Sequence, residues 1–168
     1  NPAPNDPCAG KTIAITTTPD DAVTCNDNGK ISVSVTGSTG FTYKLNSAGT
    51  YQSSSTFENL KAGSYTIFVK DGAGCEKSTA VTVASSGTAG AQFTAVKDLI
   101  TSKCVSCHNA TISNGGKNWA IDCNIVDGKN DIKNRAVDLG TMPPTGPLTS
   151  AEKDIISAWI TGGGGFTN

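Results

Sequence analysis

Residues 81–108 read "VTVASSGTAGAQFTAVKDLITSKCVSCH". Three kinds of chain meet in this stretch. Val81 and Val83 alternate with Thr82, the period of two that marks a strand with one buried face. The run "ASSGTAG" at 84–90 is small and polar, the composition of a linker, and a flexible segment of this length spans roughly 15 Å root-mean-square. From Ala91 the apolar positions change period: Phe93, Val96, Ile100, Cys104 and Cys107 recur at helical spacing, with Lys97, Asp98 and Lys103 between them. The chain therefore reads as two domains of different architecture, a division its 168 residues allow.

Upstream of Val83 the alternation repeats. "KISVSVTG" puts Ile31, Val33 and Val35 on one face and Ser32, Ser34 and Thr36 on the other. "FTYKLN" does the same with Phe41, Tyr43 and Leu45, "SYTIFVKDG" with Tyr65, Ile67 and Val69, and "KTIAITTT" with Ile13 and Ile15. Turn signals separate the runs: "NDNGK", "GSTG", "NSAGT", "KAGS" and "DGAGC". Roughly seven short strands at this spacing predict an all-β sandwich of the immunoglobulin-like type over residues 10–84, after an N-terminal arm at 1–9.

Downstream, "NDIKNRAVDLG" offers Asn130 or Asp131 as a helix start and Gly140 as a stop. In "LTSAEKDIISAWITGGGG", Thr149 and Glu152 make a capping box, Ile155, Ile156, Trp159 and Ile160 form the apolar stripe, and Gly162 ends it. With a linker at 85–90, residues 91–168 read as an all-helical domain with long loops. So short a segment with few aromatics has a marginal core of its own. A buried cofactor would supply the missing apolar volume, lined by candidates Phe93, Val96, Ile100, Ile121, Ile125, Ile132, Val137, Leu139, Ile156 and Trp159.

Charge is nearly balanced, 13 basic against 14 acidic residues, which offers no electrostatic footprint for nucleic acid or an anionic membrane. No apolar run is long enough to span a bilayer, so no transmembrane segment is expected. Charged residues make up only 16%, and the surface is hydroxyl-rich, as in exported proteins. The opening "NPAPNDPC" reads as a mature end after signal-peptide removal.

Six cysteines stand at 8, 25, 75, 104, 107 and 123. Setting Cys104 and Cys107 aside leaves four, enough for two disulfides in an oxidising compartment. Cys25 precedes the second strand and Cys75 follows the sixth, so these two are paired; closing that loop is worth about 4 kcal/mol. Cys8 and Cys123 are then left, either joining the two domains or, through the Pro/Asn-rich arm, bonding a neighbouring chain.

"CVSCH" holds the only histidine of the chain, His108, directly after Cys104 and Cys107. On a helix two thiols three residues apart share a face and can add to the vinyl groups on one edge of a haem, with the histidine within reach of the iron. The one methionine, Met142, lies in "LGTMPPTGPLT" between a helix stop and two prolines that stiffen the backbone, and supplies a second iron ligand. Arg135, the Trp119 indole N–H and Lys117 are candidate donors to the haem propionates. Two other readings use the same residues: a redox dithiol at Cys104 and Cys107, and a Cys₃His zinc site adding Cys123.

Two resemblances extend this. "VTCNDNGKISVSVTGSTGFTYKLN" with "FENLKAGSYTIFVKDGAGCEKSTAVTV", within residues 10–84, resembles the SprB-like repeat of gliding-motility and other surface adhesins of Bacteroidetes-type bacteria. That implies an extracellular module without chemistry of its own. "CVSCH" with "MPPTGPLTSAEKDIISAWI" resembles a class I monohaem cytochrome c over about residues 90–164, which implies an all-α cytochrome c fold. It further implies one covalent haem c on Cys104 and Cys107, iron ligands His108 and Met142, and Trp159 packed on Phe93. The family often has a proline soon after the histidine to orient its ring; here none occurs between His108 and Pro143. The expected function is an exported one-electron carrier serving redox partner proteins at a cell surface, outside the cell or in the periplasm. The β domain or the arm positions it or builds a homo-oligomer. The alternatives are a subunit of a haem-containing filament or adhesin, and a haem peroxidase or ligand sensor with a labile Met142.

Overall fold

The structure, a computed structural model, describes residues 6–168; positions 1–5 of the expected arm lie outside them. The chain divides into two compact units, one ending at Ser86 and one beginning at Gly87.

In the first unit the alternating runs become strands. β1 (Ala14–Asp20), β3 (Gly29–Thr36) and β5 (Thr56–Leu60) form an antiparallel sheet with β3 central. β4 (Thr42–Leu45), β6 (Gly63–Lys70) and β7 (Glu76–Val83) form a second with β6 central. β2 (Ala22–Val23) pairs in parallel with β8 (Ser85–Ser86). Register follows the apolar face: Ile31 opposes Phe57, Tyr65 opposes Val81, and Tyr43 opposes Val69. A slip of one residue would turn each of these faces outward. Ile31, Val33, Phe57, Leu60, Ile67, Val69, Val81 and Val83 meet in one core, with Ile15, Val35, Phe41, Tyr43, Leu45 and Tyr65 packed against it.

This is not the immunoglobulin-like sandwich expected over 10–84. That architecture sets four antiparallel strands against three. Here each antiparallel sheet has three strands, and the remaining pair is parallel and two residues long. The cause is local. After β7 the chain turns back beside β2, where Ala22 N–H donates to Ala84 O at 3.0 Å and Thr24 N–H to Ser86 O at 2.9 Å. The linker expected from residue 85 is thus partly strand. Ser85 and Ser86 carry no apolar alternation that would have marked them.

The disulfide pairing also differs from expectation. Cys8 is bonded to Cys75, which excludes both the Cys25–Cys75 and the Cys8–Cys123 pairings, and also a bond from Cys8 to a neighbouring chain. Cys25 and Cys123 are disulfide-bonded as well. Residues 6–11 fold as turns, with Ala9 N–H on Asp6 O and Lys11 N–H on Cys8 O, both at 3.1 Å. Lys11 then clamps onto the buried Asp71, which also accepts from Ser38 Oγ at 2.7 Å and from the amides of Ala73 and Cys75 at 3.0 and 2.9 Å. These contacts bring Cys8 to the β6–β7 turn, so this part of the arm is fastened to the sheet.

The second unit holds α1 (Ala91–Lys103), α2 (Asp122–Asp127), α3 (Lys129–Ile132) and α4 (Ser150–Thr161). A 3₁₀ turn lies at Asn114–Gly116 and a π-helical segment at Lys133–Asp138. The Thr149–Glu152 capping box is present. Trp159 is fully buried against Phe93, with ring centroids 6.0 Å apart, and Phe166 closes on Phe93 at 5.0 Å. The expected all-α cytochrome c fold is nevertheless not what the unit shows: only α1 and α4 exceed six residues, and most of 104–149 is irregular backbone, 3₁₀ turn and π-helix. Glycines at 115, 116, 140 and 146 with positive φ and prolines at 143, 144 and 147 withhold regular helix there. With the first unit's small sheets, the chain as a whole is mixed α and β. No helix among the described residues is long and apolar enough to cross a membrane.

Candidate functional site

α1 ends at Lys103, so the C-x-x-C-H run lies in the turn after the helix and not on it. The helical hydrogen bonding persists for one more turn: Cys104 N–H donates to Ile100 O at 2.8 Å, and Cys104 O accepts from Cys107 N–H at 3.1 Å and His108 N–H at 3.0 Å. The spacing thereby keeps its meaning off the helix. Asn109 then fastens the following loop. Its Nδ2 donates to Val105 O at 2.8 Å, and its Oδ1 accepts from the amides of Thr111 and Ile112 at 2.9 and 2.8 Å. Trp119 N–H reaches His108 O at 2.8 Å and holds the next segment against it.

Cys104, Cys107, His108, Trp119, Arg135 and Met142 line one cavity of about 370 Å³, together with Lys117, Ile132 and Pro143. Cys104 and Cys107 are free thiols. Burial pushes the Cys104 thiol up, and neighbouring Cys107 adds to the shift. Among the described residues His108 Nδ1 is buried with no hydrogen-bond partner, so none of their carbonyls takes the place of the missing proline's. The His108 and Trp119 rings stand 6.2 Å apart.

Four charged residues, Lys103, Lys117, Asp131 and Arg135, are in the cavity's lining. Lys117 is paired with Asp131, whose carboxyl is held below its ordinary value first by that hydrogen bond, with Arg135 adding. Lys103 bonds Glu152 at 2.9 Å. Glu152 is pulled down to about 2, chiefly by the Thr149 amide, then by Lys103 and the Thr149 hydroxyl.

No family model, curated protein or solved structure matches this chain.

The site rests on its own chemistry. Two free thiols, an imidazole and a thioether line one partly open, mostly apolar space that Lys103, Lys117 and Arg135 also line, a donor set that fits a covalently attached haem. The zinc reading fares worse: Cys123 is committed to a disulfide, and no cluster of three or more His, Cys, Asp or Glu is placed to hold a metal among the described residues. Of the candidate apolar lining only Ile132 faces the cavity. Phe93, Val96, Ile100, Ile125, Ile156 and Trp159 are buried, and none of them lines it, whereas Ile121 and Leu139 are half exposed or more, at 50% and 59%. Asn109, and the part of Asp131 as the partner of Lys117, escaped the sequence reading. Only Asn109 left a signal, an Asx-turn residue directly after the histidine.

Proposed function

We propose that the second unit carries one haem c, thioether-bonded at Cys104 and Cys107 and iron-ligated by His108 and Met142, and that the protein is an exported one-electron carrier. What carries the reading is a coincidence of position: the chain's only histidine and only methionine, 34 residues apart, line one cavity with its two free thiols. Bound there, the haem would supply reversible one-electron oxidation and reduction of its iron. The chain's own residues attach, orient and tune. The backbone turn on Cys104 O sets both thiols and the imidazole on the cavity. Lys117, Arg135 and the Trp119 indole are donors for the propionate carboxylates. Ligation by an imidazole and a thioether would raise the haem's potential. The Cys8–Cys75 disulfide favours an oxidising compartment and hence export. The first unit has the part of positioning or assembling the carrier.

Intact mass of the purified protein, with visible spectra of both redox states, tests this. One haem per chain, a low-spin six-coordinate spectrum, and loss of the sulfur–iron band in Met142→Ala are expected. A mass of bare polypeptide or of a zinc adduct refutes the proposal. Rapid, tight carbon monoxide or cyanide binding by the resting protein would favour a sensor or peroxidase instead.

A further inference from the structure

We propose that the π-helical segment and Gly140 form a backbone clamp that positions Met142, with the Arg135 carbonyl as its anchor. In a regular α-helix that carbonyl would accept from Leu139 N–H, four residues on. Here Leu139 N–H instead reaches Asn134 O at 2.9 Å, five residues back, the π register of Lys133–Asp138. The Arg135 carbonyl is released and becomes the acceptor for the returning loop. Thr141 N–H donates to it at 2.9 Å, Met142 N–H at 3.1 Å and Thr141 Oγ1 at 3.3 Å. One carbonyl with two lone pairs thus fixes the backbone of Met142 and of the residue before it. Arg135 itself also lines the cavity.

The chain reverses onto that carbonyl through Gly140, at φ +61°. A Cβ there would meet nothing closer than Lys153 Nζ and Pro147 Cβ, both at 3.9 Å. The demand for glycine is therefore conformational and not steric, which makes it separable by substitution. Alanine resists the left-handed region, whereas asparagine visits it. For its consequence the inference rests on the haem reading: a loosened clamp leaves the thioether side of the iron open to added ligands. The clamp itself belongs to the polypeptide.

The haem-loaded wild type is compared with Gly140→Ala, Gly140→Asn and, as a strain control in the first unit, Gly10→Ala, whose φ is +72° with open space around it. Amide hydrogen exchange at Thr141 and Met142 reports the clamp, and the rate of imidazole binding to the oxidised protein reports its consequence. Gly140→Ala should accelerate both by roughly 5- to 30-fold. Gly140→Asn should restore most of the protection, and Gly10→Ala should change neither. Unprotected Thr141 and Met142 amides in the wild type, or protection unchanged in Gly140→Ala, overturn the clamp. Faster exchange with unaltered imidazole binding overturns its role at the iron. A wild type without haem sinks the haem reading, while amide exchange on that same protein still decides the clamp.

Discussion

Gly128 packs against the far edge of the Trp119 indole that walls the cavity, and its replacement by alanine is the sharpest test of the packing. At φ −87° the position accepts any L-residue without backbone strain. The obstacle is space: an added Cβ would lie 2.3 Å from Trp119 Cη2, 2.4 Å from Trp119 Cζ3 and 2.9 Å from Asn124 O. Two of these atoms belong to a rigid ring that is 8% exposed, so neither can give way by rotating a flexible tip. Overpacking of this kind costs about 1–3 kcal/mol. Gly→Ala returns about 0.4–1 kcal/mol through the unfolded chain. A net loss of about 1.3 kcal/mol lowers the melting temperature of a unit this size by about 5–10 °C. Both tryptophans, Trp119 and Trp159, lie in the second unit, so tryptophan emission during thermal unfolding reads this unit alone. Phenylalanine at 119 lacks the far edge of the indole, so Gly128→Ala should cost little in a Trp119→Phe background, a coupling of about 1 kcal/mol or more. Additive losses, or a Gly128→Ala protein as stable as the wild type, would refute the packing described.

Other outcomes follow from the same contacts. Replacing Cys8 and Cys75 together by serine should destabilise the first unit by about 2–5 kcal/mol, read by denaturant titration against the intact protein. Thr149→Ala removes the side-chain half of the α4 capping box and should cost about 1 kcal/mol, seen as a lower melting temperature. Glu152 has a folded-state pKa below its ordinary 4.5, so it stabilises the fold at pH above about 4.5. That contribution is lost as pH falls toward about 2, and a Glu152→Gln variant should lack this part of the acid dependence in a pH series of melting curves. Asp71, held low first by Lys11 and then by Ser38, should likewise lose its contribution in acid, and Asp71→Asn should flatten the first unit's acid limb.

Periodicity, capping and local spacing were decided by the order of residues. The alternation of Ile31, Val33, Ile67, Val69, Val81 and Val83 specifies strands and core together, because burying one face of a strand excludes every slip by an odd number of residues. The Thr149 cap and the Cys104–Cys107–His108 spacing are contacts within four residues of chain, where covalent geometry leaves little choice. Tertiary structure alone decided what depends on where distant segments return. Cys8 meets Cys75 because Lys11 is drawn onto a buried carboxylate sixty residues on. β8 pairs in parallel with β2 through backbone amides that any sequence possesses. Met142 is brought to the cavity of His108 by a carbonyl that a π register sets free, and a carbonyl's freedom is written in no side chain. Side-chain chemistry is visible in one dimension; the pairing of backbone polar groups across the fold is a closure problem that only three dimensions solve.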